Sequence, residues 1–103
     1  MLPLITKHQS NITALCQRFG VRRLEVFGSA ARGEDFDSAR SDLDFLVEFE
    51  PLRPGDYVNA FFGLKEELER LFGRPVDLVS PASIGNRYFR ESVERSKALL
   101  YAA

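Results

Sequence analysis

The chain has 103 residues, 45% of them hydrophobic and 28% charged, and a formal net charge of -1 at pH 7. These values predict one small domain over residues 1–103, with no apolar run long enough to span a membrane. The balanced charge argues against strong general nucleic-acid binding.

The N-terminus has neither a basic start nor a sustained apolar stretch, so a secretory signal is not expected. The single cysteine, Cys16, cannot form an internal disulfide. It lies in a helical hydrophobic pattern, which favours a buried structural thiol over a nucleophile. We therefore expect a cytoplasmic protein.

The first half of the chain predicts one helix and two strands. Apolar residues recur at helical spacing over residues 4–19, and Gly20 follows as a natural stop. Residues 22–27 alternate between apolar and polar side chains, which indicates a strand ended by Gly28. Residues 43–49 predict a second strand.

The second half predicts two helices and two short strands. Asp56 is expected to cap a helix that runs to Phe72 and ends at Gly73. Residues 76–79 predict a third strand, residues 86–96 a helix, and residues 98–101 a short last strand. This order predicts an α/β (α+β) fold with a small mixed sheet flanked by helices, undivided by any long linker.

A turn with phosphate-binding character follows the first predicted strand. Gly28 permits close backbone approach, and the Ser29 hydroxyl adds a hydrogen-bond donor. The helix-forming triplet that ends at Arg32 predicts a short helix that starts at this turn. Free backbone N–H groups at the helix start and the Arg32 guanidinium could then bind an anion. Such turns also occur without a ligand, so this pattern is weak by itself.

Two aspartates stand at the start of the second strand. Asp42 and Asp44 are two residues apart, so their side chains project to the same face, where their charges repel. A divalent cation such as Mg²⁺ relieves this repulsion. Without a cation, Asp42 would be a cap and Asp44 a surface residue.

A third aspartate, Asp77, lies inside the short apolar third strand, where an unpaired acid is costly if buried. If that strand lies beside the second strand, Asp77 joins Asp42 and Asp44. Three carboxylates can then hold one or two metal ions, as in phosphoryl and nucleotidyl transfer. The alternative is that Asp77 is only an edge-strand charge.

Together these features resemble the minimal nucleotidyltransferases of the DNA polymerase beta-like superfamily, and the resemblance covers nearly the whole chain. The family pattern reads here as Gly28-Ser29, Ala31-Arg32-Gly33, Ser41-Asp42-Leu43-Asp44 and Asp77. One departure is the spacing between Gly-Ser and the first aspartate. Residues 30–41 make it two residues longer than is usual for the family, which extends the loop before the metal-binding strand.

The resemblance implies a polymerase-beta-like nucleotidyltransferase fold and Mg²⁺-dependent transfer of AMP from ATP. It implies that three acids bind metal and act in catalysis, and that four residues bind the nucleotide. The acids are Asp42, Asp44 and Asp77, of which Asp77 also helps to deprotonate the acceptor; the nucleotide-binding residues are Gly28, Ser29, Arg32 and Ser41.

Many small members of this family are encoded beside a HEPN-type protein, a helical ribonuclease toxin, and act as its antitoxin, in some cases by adenylylating (AMPylating) a tyrosine of the toxin. The resemblance therefore implies a HEPN-type toxin as partner, and residues 87–103 are a candidate docking segment. Two alternatives stay open. One is an antitoxin that only binds and occludes its toxin; the other is the catalytic subunit of a small-molecule nucleotidyltransferase.

Overall fold

The computed structural model describes residues 3–28, 31 and 42–103. The described residues form four α-helices, four strands and one short 3₁₀ turn. In chain order these are α1 (Pro3–Lys7), α2 (Gln9–Phe19), β1 (Val21–Phe27), β2 (Leu43–Phe49), α3 (Pro54–Phe72), β3 (Val76–Val79), the 3₁₀ turn Pro81–Ser83, α4 (Arg87–Ser96) and β4 (Ala98–Ala102). None of the helices described is both long and apolar enough to cross a membrane.

The N-terminal helical segment is divided into two helices, whereas the sequence pattern predicted one. His8 lies between α1 and α2 with φ −103° and ψ 19°, outside regular helical geometry. Gly20 ends α2 as predicted: it has φ 70°, and its N–H donates to the Cys16 carbonyl. A glycine adopts this left-handed conformation without steric cost. Cys16 is fully buried, and burial raises the pKa of its thiol to about 12, which agrees with a structural role.

Helix α3 begins three residues earlier than the sequence predicted. Arg53 occupies the N-cap position and Pro54 the first helical position, so the prediction of Asp56 as the cap was wrong. Proline is favoured there because its fixed φ suits a helix start and its missing N–H would have no helical partner. Asp56 lies in the first turn, where its negative charge is favourable. Gly73 ends the helix with φ 65°, as expected.

The four strands form one sheet in the order β3-β2-β1-β4, and the prediction of a small mixed sheet is confirmed. Strand β1 is antiparallel to both β2 and β4, and β2 is parallel to β3. One face packs on α1, α2 and α3 through the main core, and α4 covers part of the other face. A second, smaller hydrophobic cluster lies between α4 and that face and contains Phe27, Leu46, Ile84 and Val93.

Both edge strands have a backbone group bonded to a helix side chain. In β3, the Val76 N–H donates to Glu69 Oε2 at 3.0 Å. In β4, the Leu100 carbonyl accepts from Gln9 Nε2 at 2.7 Å. These bonds leave fewer free groups at each edge for another strand to pair with.

Candidate active site

Two acids lie opposite each other on neighbouring parallel strands. Asp44 of β2 is directly in register with Asp77 of β3. The residues on either side of Asp44, Leu43 and Phe45, are buried in the main core, so strand alternation places Asp44 on the opposite face. The condition for Asp77 to join the other acids, that the third predicted strand lies beside the second, is therefore met.

Asp42 immediately precedes β2, and its side chain is exposed, as is that of Asp77. Asp44 is partly buried. Burial, followed by the negative charges of Asp77 and Asp42, raises the pKa of Asp44 from 3.8 to about 6. The three acids are thus within electrostatic reach of one another, and the ionised form of Asp44 is costly in the folded chain.

The chemistry of this group suits a hard divalent cation, because carboxylate oxygens are the preferred ligands of Mg²⁺. A cation would also offset the repulsion that raises the pKa of Asp44. As the side chains stand, no three His, Cys, Asp or Glu residues of the described part of the chain are close enough together to hold a metal ion. The donor set therefore fits a cation in charge and ligand type, and the roles of these acids as ligands stay predictions.

Gly28 follows β1 and lies beside Asp44 of the neighbouring strand β2. Its φ is 73°, and a Cβ at this position would lie 2.8 Å from Asp44 Oδ2. Real Cβ atoms essentially never approach an oxygen so closely, so any side chain here would displace the carboxylate. We attribute the requirement for glycine to the space that Asp44 occupies as well as to the positive φ.

The backbone of Gly28 is held on both sides. Its N–H donates to Ser96 Oγ at 3.1 Å, and its carbonyl accepts from the Ala31 N–H at 3.2 Å. Ala31 is helical, in agreement with a turn that leads from the strand into a helix. Because the Gly28 N–H already has a partner, phosphate binding at this turn would use other donors.

Three predicted nucleotide-binding residues, Ser29, Arg32 and Ser41, lie outside the described residues, as does most of the longer loop between Gly-Ser and Asp42. The structure therefore brings together Gly28, Asp44 and Asp77, with Asp42 nearby. The nucleotide-binding roles of the other three stay predictions.

The sequence patterns did not single out Ser96 or Glu25, and they gave Lys97 no role beyond a basic residue of the candidate docking segment. Glu25 is buried on the face of the sheet that carries Asp44, and its carboxylate pairs with Arg23 Nε at 3.2 Å and Lys97 Nζ at 3.5 Å. Lys97 also pairs with Glu94 at 3.1 Å, and the hydrogen bond to Glu94 and the Glu25 charge raise the pKa of Lys97. Alternation in β1 predicts the face of Glu25, but no sequence signal indicates its distant partner.

The chain matches known proteins over most of its length. Residues 10–100 match the family model described as a nucleotidyltransferase domain. A protein adenylyltransferase homologue of Methanocaldococcus jannaschii is 37% identical over 91 residues, which is 88% of this chain and 85% of the homologue. The protein adenylyltransferase MntA of Thermococcus cleftensis is 41% identical over 81 residues, or 79% of this chain and 74% of that protein.

Solved structures share the fold. A minimal nucleotidyltransferase superposes with a TM-score of 0.72 and 38% identity, covering 94% of this chain and 95% of that one. A toxin-antitoxin structure with AMP-PNP has a TM-score of 0.66 and 21% identity, covering 92% of this chain and 73% of that one. A tri-AMPylated Shewanella oneidensis HEPN toxin in complex with an MNT antitoxin has a TM-score of 0.62 and 19% identity, covering 95% and 72%.

The last two structures are too distant in sequence to show more than a common fold. The family model, however, spans most of the chain, and relatives above 30% identity cover more than two thirds of it. The chain therefore belongs to the nucleotidyltransferase domain family.

Proposed function

We propose that this protein is a Mg²⁺-dependent adenylyltransferase that transfers AMP from ATP to a tyrosine hydroxyl of a HEPN-type toxin and thereby acts as its antitoxin. The observation that carries this proposal is the register of Asp44 with Asp77 beside the Gly28 turn. The similarity to protein adenylyltransferases supports the reaction. The fold shared with the antitoxin of MNT–HEPN complexes supports a HEPN-type toxin as the partner.

The acids have distinct surroundings and therefore distinct roles. Asp42, Asp44 and Asp77 would hold the metal, which when bound supplies positive charge to the phosphates and activates the acceptor hydroxyl. Asp44 is the partly buried member, fixed between two core residues of β2. Asp77 is exposed, so an acceptor hydroxyl can reach its carboxylate and pass its proton to it.

The transfer is a substitution at the α-phosphorus of ATP. The tyrosine oxygen forms a new bond to phosphorus, the bond to the β-phosphate oxygen breaks, and pyrophosphate leaves. The protein contributes mainly position and charge neutralisation. The turn at Gly28, with Ser29, Arg32 and Ser41, would hold the phosphates that leave.

A double variant, Asp42→Asn/Asp44→Asn, separates chemistry from binding. We expect it to lower transfer at least about 10³-fold, because the metal supplies several kcal/mol of transition-state stabilisation. Co-expressed with a toxin that arrests growth, it should no longer protect cells, although it should still co-purify with the toxin. The measurement is growth of cells that carry toxin and antitoxin.

The matched control is Glu48→Gln, an exposed acid on the same strand, which should protect as well as the wild type. Full protection by a folded double variant would contradict the enzymatic proposal and favour an antitoxin that acts by occlusion. A protein that transfers AMP to a small molecule but to no partner protein would favour the small-molecule alternative.

A further inference from the structure

Ser96, the last residue of α4, connects the C-terminal part of the chain to the turn after β1. Its Oγ accepts the Gly28 N–H at 3.1 Å. The same hydroxyl donates within its own helix, to the Ser92 carbonyl at 3.1 Å. Because the hydroxyl proton is used in the helix, an oxygen lone pair is left to accept from Gly28.

Helix α4 and the residue that follows it contact β1 at two other points, and these contacts help to hold Ser96 in place. Near the start of the helix, the Phe89 ring packs edge-on against Phe27 with 6.0 Å between centroids. Just after its end, Lys97 Nζ pairs with the buried Glu25 at 3.5 Å. The contacts to Glu25, Phe27 and Gly28 hold the last part of β1 and the start of the turn.

The conformation of Gly28 matters because of its neighbour. Gly28 has a positive φ of 73°, and a Cβ built on its backbone would lie 2.8 Å from Asp44 Oδ2, closer than real Cβ atoms come. A glycine is also the residue with the most freedom to leave this conformation. An external acceptor for its N–H restricts that freedom, and Ser96 provides one.

We propose that Ser96 is a positioning residue for nucleotide binding. It fixes Gly28 beside Asp44, at the place where the proposed function puts the nucleotide and its metal. Ser96 does not touch the nucleotide itself. This inference rests on the proposed function and adds to it a residue from the opposite end of the chain.

Removal of the hydroxyl in Ser96→Ala should weaken the binding of AMP-PNP with Mg²⁺ about fivefold to tenfold, the loss expected for one hydrogen bond. The KM for ATP should rise by a similar factor, with a smaller change in kcat, because Ser96 acts through Gly28 on the proposed nucleotide site and touches no reacting atom. Ser96→Thr keeps the hydroxyl and should restore affinity. A purely structural role would lower the melting temperature without changing the nucleotide affinity of the folded protein.

The matched control is Ser92→Ala, which removes an exposed hydroxyl one turn earlier on α4 and should leave affinity unchanged. Should Ser96→Ala fail to fold, Ser96→Cys gives the same test, because sulfur is a weak acceptor of similar size. Isothermal calorimetry with AMP-PNP measures the affinity of each variant.

The amide resonance of Gly28 tests the anchor without any nucleotide. In Ser96→Ala this resonance should shift and its hydrogen exchange should accelerate, whereas Ser96→Thr and Ser92→Ala should leave both unchanged. An unchanged Gly28 amide in Ser96→Ala overturns the inference, and so does unchanged affinity for AMP-PNP. If the wild-type protein binds no AMP-PNP, the proposed function fails and this role of Ser96 fails with it, even where the amide confirms the bond.

Discussion

Replacement of Asp44 by asparagine is expected to abolish nucleotidyl transfer and, at neutral pH, to make the folded protein more stable. The two effects have one cause. Asp44 is a partly buried carboxylate whose pKa is raised from 3.8 to about 6, first by burial and then by the charges of Asp77 and Asp42. Asparagine has nearly the same shape but carries no charge, so it removes both the proposed metal ligand and the repulsion.

The sign of the pH dependence follows from the direction of this pKa change. The folded chain takes up a proton on Asp44 near pH 6, whereas the unfolded chain does so near the ordinary value of 3.8. Between these pH values the folded state binds more protons, so stability falls as the pH rises through this window and stays low above it. The advantage of Asp44→Asn should therefore be full at pH 7.5 and vanish below pH 4.

A pKa difference of about 2 corresponds to about 3 kcal/mol, and solvent screening of a half-exposed carboxylate reduces the expected gain to about 1 kcal/mol. For a domain of this size, that is a rise in melting temperature of about 5 °C. Calorimetry at several pH values measures it. Transfer should fall at least about 10³-fold if Asp44 is the metal ligand that the proposed function makes it.

Glu48→Gln is the control, since it neutralises an exposed acid on the same face of β2 and should change stability by less than about 0.5 kcal/mol. If Asp44→Asn lowers the melting temperature at pH 7.5, the carboxylate supports the fold instead of straining it. If transfer survives in Asp44→Asn, the acid is not part of the reaction.

Replacement of Gly28 by alanine is expected to reduce activity about 100-fold, because the added methyl group would lie 2.8 Å from Asp44 Oδ2 and must displace it. A misplacement of about 1 Å in an active site costs rates of this order. The positive φ of 73° adds a strain of about 1 kcal/mol to the free energy of folding. Steady-state kinetics and thermal unfolding measure the two effects separately.

Gly73→Ala separates strain from displacement. Gly73 has a similar φ of 65°, but a Cβ there meets no atom within 4 Å. Both variants should lose similar stability, and only Gly28→Ala should lose activity. Equal activity in the two variants would show that the close approach of Gly28 to Asp44 has no function.

The sequence predicted those parts of the fold that depend on local chemistry. Gly20 and Gly73 end helices because the left-handed conformation favours glycine, and both predictions were confirmed. Strands β2 and β3 were both predicted from their apolar content, and their predicted bounds agree with the observed ones. The break at His8 was missed because the hydrophobic pattern continues across it without a glycine or an interior proline.

The site was predictable only in part. Spacing placed Asp42 and Asp44 together, but the contact of Asp44 with Asp77 depends on a parallel strand pairing that local patterns do not specify. The raised pKa of Asp44 depends on burial, which requires the fold. The bond from Gly28 to Ser96 joins residues 68 positions apart and has no sequence signature.

The most direct test is a transfer assay with the purified protein, Mg²⁺ and its HEPN-type partner, in which ATP carries a label on the α-phosphate in one reaction and on the γ-phosphate in another. Nucleotidyl transfer by the three acids predicts label on the partner from the α position alone, and none with Asp42→Asn/Asp44→Asn. Label from the γ position would indicate phosphoryl transfer instead. Equal labelling by the double variant, or no labelling of a partner that binds the wild-type protein, would contradict the proposed function.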